Sequence, residues 1–96
     1  MTQIVINVRH GGFGLSEAAL SLYNKFQLEV GGPVIEYDGE ISRDCSRLVA
    51  VVQALGDEAS GKYAKLKIVT IPDDVEWYIH EYDGIEWVAE VHRTWS

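Results

Sequence analysis

The sequence predicts an α+β domain in which a mixed or antiparallel sheet of about four strands carries two helices packed on one face. Three features predict it: period-two alternation of apolar residues at the start of the chain and again over its last third, two amphipathic segments between them, and an Asp-Gly pair at positions 83 and 84 joining two strand-like runs. A chain of 96 residues with 47% hydrophobic content has room for one modest core, so residues 1–96 are read as a single domain.

The elements follow in order. Residues 2–8 read as a strand with Ile4, Ile6 and Val8 on one face. The glycine-rich turn His10-Gly11-Gly12-Phe13-Gly14 comes next, and Ser16 has the side chain and position of a helix N-cap, with Glu17 favourable in the first turn. Leu15 and Leu20 fit a hydrophobic staple. The spacing predicts a helix from residue 17 to about 26 with Ala19, Leu22, Tyr23 and Phe26 as its apolar stripe. Gly31-Gly32-Pro33 breaks the chain, and residues 34–41 suit a small hairpin around Asp38-Gly39. A second helix is capped by Asp44 or Ser42, buries Leu48, Val49, Val51, Val52 and Leu55, and stops at Gly56. Residues 57–62 form a polar connection. From Ala64 the period-two pattern returns up to Pro72. Runs 75–82 and 85–92 then flank Asp83-Gly84, a strong hairpin signal that sets Tyr82 opposite Ile85, His80 opposite Trp87 and Trp77 opposite Glu90. Glu-Tyr-Asp-Gly occurs at 36–39 and at 81–84 with unmatched flanks, which reads as two hairpin turns rather than a repeat.

Composition excludes several classes. Cys45 is the only cysteine, so no internal disulfide forms and no paired-thiol metal spacing exists, as expected in a reducing compartment. Residues 1–8 lack the pattern of a secretion signal, and no run approaches the roughly 20 apolar residues that span a bilayer, so a soluble, unprocessed protein without membrane contact is expected. The net charge is −7. Between Pro72 and Val91 stand Asp73, Asp74, Glu76, Glu81, Asp83, Glu86 and Glu90, with no Lys or Arg among them, while the remaining chain balances eight acids against eight bases. The imbalance thus belongs to one C-terminal element. Such a field disfavours direct contact with nucleic acid and is either a solubilising face or a surface complementary to a basic partner.

Two segments carry a resemblance: Ile4-Val5-Ile6-Asn7 with Gly11-Gly12-Phe13-Gly14-Leu15-Ser16 at the start, and Ile71-Pro72-Asp73-Asp74-Val75-Glu76-Trp77, Glu81-Tyr82-Asp83-Gly84 and Glu90-Val91-His92-Arg93-Thr94-Trp95 at the end. Together they cover about half the chain, and in them it resembles a family of short proteins common in phage and prophage genomes. In that family a tyrosine commonly precedes the glycines and an Asp-Pro pair begins the second helix, where this chain has His10 and Asp44-Cys45. The resemblance brings no activity with it. It implies a viral origin, the cytoplasm of a host cell as the setting, and the countering of host defence common among small viral proteins.

The candidate ligand-binding residues are Arg9, His10, Gly11, Gly12, Gly14, Ser16, Arg93 and Trp95. Glycines let backbone approach a ligand, and free N–H groups at a helix start favour a phosphate. The spacing is neither a dinucleotide fingerprint nor a P-loop, and a tight strand-to-helix turn needing positive φ explains the same glycines. If first and last strands are neighbours, Arg9 and Arg93 can clamp an anion there. Trp77, Tyr78, Tyr82, Trp87 and Trp95 serve either cross-strand packing or an interface, and an aromatic near a terminus often covers another subunit. Catalysis has little support: Ser16 lacks a base, Cys45 a partner, and His10, His80 and His92 lack metal spacing. A non-enzymatic binding protein is therefore expected, without cofactor or metal and forming a homo-oligomer. Its partner is either a phosphorylated small molecule or signalling nucleotide, or a basic host protein docked by the acidic hairpin.

Overall fold

The computed structural model describes residues 1–35, 39 and 41–91. The described residues form an α+β globule of four antiparallel strands and two helices: β1 (Thr2–Asn7), α1 (Glu17–Glu29), α2 (Ser46–Leu55), a short 3-10 turn (Gly56–Ala59), β2 (Leu66–Ile71), β3 (Trp77–Tyr82) and β4 (Ile85–Glu90). Among the described residues no helix is long and apolar enough to cross a membrane. The expected hairpin at 34–41 and the last residues of the final strand fall largely outside the described residues.

Both helices cover one face of the β1–β2 pair. Val5 stands opposite Ile68 and Asn7 opposite Leu66, which puts all four side chains on the same side. Val5, Leu66 and Ile68 join Ala19 and Tyr23 of α1 and Leu48, Val49, Val51 and Val52 of α2 in one cluster. Ile4 and Ile6 on the opposite face are buried as well, and β4 also lies close to β1.

Helix ends follow local chemistry, with two differences from the expectations. Ser16 caps α1 as expected, its Oγ accepting from Ala19 N at 3.1 Å. The helix runs one turn past Phe26, to Glu29, because Gly31 takes φ +74° and lets Gly32 N reach Gln27 O at 2.8 Å. Cys45, rather than Asp44 or Ser42, occupies the N-cap of α2, without a side-chain cap bond. The 57–62 connection begins inside the 3-10 turn and buries Ala59 completely.

The strands form two separate two-stranded sheets, β1–β2 and β3–β4. The reason lies on the outer edge of β1. In its register the even residues face β2, as Val8 N does in donating to Lys65 O at 2.8 Å, so Val5 and Asn7 turn their amides outward. Those amides are already taken: Val5 N donates to Arg43 O and Asn7 N to Glu86 Oε1, both at 2.8 Å. A carboxylate and a loop carbonyl thus occupy the places a third strand would use. The hairpin register itself is the expected one, with His80 opposite Trp87 and Tyr82 opposite Ile85.

Candidate functional site

The glycine turn is clasped by the β3–β4 turn. Gly11 and Gly12 adopt φ +122° and +94°, as a strand-to-helix turn requires, whereas Gly14 is not in the left-handed region. A Cβ on Gly11 would stand 2.6 Å from Tyr63 O, and one on Gly84 would stand 2.6 Å from both Gly11 N and Gly12 N. Beneath the two turns lies Asn7, fully buried and fully bonded. Its Nδ2 donates to Arg9 O and Gly84 O, each at 2.6 Å, and its Oδ1 accepts from Lys65 N at 2.8 Å and Arg9 N at 3.4 Å.

The residues expected to bind an anion are thereby distributed as follows. Gly11 and Gly12, with Glu81, Asp83 and Gly84, line an open pocket of about 390 Å³. His10 is exposed, its Nδ1 lying 3.2 Å from Asp83 O and 3.4 Å from Asp83 Oδ2. Arg9 is exposed beside them. Ser16 is engaged elsewhere, since its hydroxyl donates to Glu58 O at 2.6 Å as well as capping α1. Gly14 O accepts from Gly61 N at 2.9 Å. The contact of β4 with β1 makes the first and last strands neighbours, but Arg93 and Trp95 lie outside the described residues. Two carboxylates therefore share the pocket with the glycine amides, and they oppose the phosphate those amides would attract.

One cluster lies outside the sequence expectations. Glu86 is 7% exposed, and Arg43 grips it with two bonds, Nη1 to Oε1 at 2.5 Å and Nη2 to Oε2 at 2.8 Å. The guanidinium also donates to Val5 O at 3.3 Å and stacks 3.6 Å from the centre of the Phe13 ring. A signal existed in the strand parity: Glu86 alternates onto the same hairpin face as Ile79 and Val88, where a carboxylate needs a cationic partner. Which cation supplied it was a long-range fact.

The other hairpin face is aromatic and open. Tyr78, Trp87 and Tyr82 are 46%, 43% and 73% exposed, and His80 stacks on Trp87 with centroids 4.6 Å apart at 16°. The exposed acids of the same segment are Asp74, Glu76, Glu81, Asp83 and Glu90, of which Glu76 has the parity of this face and Glu81 and Glu90 that of the other. Asp73 is bound to the N-terminal ammonium at 3.0 Å and to Thr2 Oγ1 at 2.8 Å, and these contacts hold its carboxyl below the usual carboxylate value.

Elsewhere, a pocket of about 380 Å³ lies between the start of β1 and the start of α2, lined in part by Gln3, Asp44 and Ser46. At the same helix start burial pushes the Cys45 thiol up, but the N–H groups of Leu48 and Arg47, the Tyr23 hydroxyl and the Arg47 charge outweigh it and lower the value. No family model, no curated protein and no solved structure matches this chain.

Proposed function

We propose that this chain is a binding protein whose β3–β4 hairpin docks on a basic surface of another protein, in the viral setting a host protein. The supporting observation is the composition of the hairpin surface. Of the seven acids between Pro72 and Val91, Glu86 is engaged by Arg43, Asp73 by the N-terminal ammonium and Asp83 by His10, while the exposed Glu76 shares the parity of the open Tyr78–His80–Trp87 face, Asp74 stands just before it in the chain, and Glu81 and Glu90 alternate onto the opposite side of the same hairpin. Aromatic rings supply contact area at small entropic cost, and a carboxylate rim steers a cationic partner onto them. The test is association with an octa-arginine peptide across a salt series. The parent should bind more weakly as salt rises, and Asp74→Asn, Glu76→Gln and Glu90→Gln together should slow association and flatten the salt dependence. A triple variant with the parent's salt slope would refute this reading.

A second reading has its own observation. Gly12 has open space above its Cα, and the exposed Arg9 stands beside it. A phosphorylated small molecule or signalling nucleotide sequestered there would have to tolerate Glu81 and Asp83, which is why this reading ranks behind the first. A thermal-shift screen against linear and cyclic nucleotides decides it, because a ligand at 100 times its dissociation constant adds about 2.7 kcal/mol. Gly12→Val should abolish any such shift and leave octa-arginine binding unchanged.

A further inference from the structure

We infer that the outer edge of β3 receives an extended, basic segment of the partner as an added antiparallel or parallel strand, a mode of docking that rests on the proposed basic partner. The hairpin turn fixes which groups are free. Asp83 and Gly84 have φ +52° and +88°, the two-residue turn that joins strands through a hydrogen-bonded closing pair, here Tyr82 and Ile85. Hydrogen-bonded pairs then recur at His80 with Trp87 and Tyr78 with Ala89, and Val91 N donates to Glu76 O at 2.9 Å in the same phase. The amides and carbonyls of Trp77, Ile79 and Glu81 must point the other way, and among the described residues no backbone group meets them.

Three observations select this edge. The outer edge of β1 is occupied by Arg43 and Glu86. The outer edge of β2 belongs to a strand flanked and interrupted by the exposed Lys65 and Lys67, which guard it against pairing and repel a basic segment. β4 lies against β1, whereas Trp77, Tyr78, Ile79 and His80 of β3 carry no such guard. Strand addition at an open edge takes its affinity from main-chain bonds and its specificity from alternate side chains. Beside β3, one set of incoming side chains would lie along Tyr78, His80 and Tyr82, where a guanidinium can stack on rings and reach Glu76. The alternate set would lie along the half-buried Trp77 and Ile79, which suits an apolar residue. The occupant is therefore a segment alternating Arg or Lys with apolar residues over the six positions of β3.

The experiment uses the full chain and a blocked hexapeptide, (Arg-Val)3, with (Glu-Val)3 as control, read by residue-resolved amide hydrogen exchange. In the free chain Trp77, Ile79 and Glu81 should exchange fast while Tyr78 and His80 are protected. At saturation with (Arg-Val)3 those three amides should slow by roughly tenfold or more, the change that one added net hydrogen bond brings. Ile79→Pro deletes an outward N–H without touching the ladder and should weaken binding about tenfold. Should that variant not fold, the exchange pattern of the parent alone decides between the outcomes. Binding of (Arg-Val)3 without slowing at these amides, binding of octa-arginine but not (Arg-Val)3, or equal binding of (Glu-Val)3 would each overturn strand addition and leave the basic-surface reading standing. Failure of both cationic peptides would overturn the two together.

Discussion

Arg43→Ala tests the tie that joins hairpin, loop and first strand. The substitution removes two charge-assisted bonds to Glu86, one bond to Val5 O and the stacking on Phe13, while Glu86 keeps its bond from Asn7 N. Breaking a buried pair by deleting one partner typically costs about 3–5 kcal/mol, because the surviving charge stays desolvated. Arg43 is about a fifth exposed, its side chain at 22% against 8% for Glu86, so water relieves part of that charge and the lower end, about 3 kcal/mol, is expected. For a domain of this size that corresponds to a fall of roughly 12–24 °C in Tm. Urea unfolding followed by circular dichroism measures it directly. Arg43→Met with Glu86→Gln together should recover much of the loss, since the amide still accepts from Asn7 N and no buried charge remains. A single Arg43→Ala within 1 kcal/mol of the parent, or a double variant worse than the sum of its parts, would refute the assignment of this pair as the tie.

Three more outcomes are expected. Gly84→Ala should destabilise by about 2 kcal/mol or more, more than Gly12→Ala, because both carry a positive-φ penalty but only the former drives a methyl into the Gly11 and Gly12 amides; urea midpoints of the pair decide it. Asp73 has its folded value depressed by the N-terminal ammonium and Thr2, so its contribution to stability is present above the ordinary value of 3.8 and lost as pH falls through the folded value. Acid titrations of stability for Asp73→Asn should show a shallower loss in that window, and an unchanged curve would contradict the contact. Finally, the exposed Tyr78, Tyr82 and Trp87 face should drive reversible self-association at tens of micromolar, seen by light scattering and reduced by Trp87→Lys; a strict monomer in the parent would count against an oligomer.

Local chemistry settled what the chain could form by itself. Ser16 capped α1 because its hydroxyl sits three residues before the amide it accepts from, and Asp83-Gly84 imposed the hairpin register because only left-handed residues close a two-residue turn between twisted strands. The period-two pattern of β2 and the stripe of α2 likewise marked the buried faces, since burial follows side-chain direction, whereas β1 is buried on both faces and turns Val5 and Asn7, not Ile4 and Ile6, toward the helices. The division into two sheets was decided in tertiary space, because it depends on Arg43, 38 positions from Val5, and on Glu86, 79 positions from Asn7, reaching the same strand edge. The candidate site was decided there as well. The glycines were legible as a turn, but that Glu81 and Asp83 would stand over them depends on Gly84 packing against Gly11 and Gly12. Spacing along a chain reports local hydrogen bonds and the periodicity of burial; which charge comes to face a given turn is set by how the elements pack.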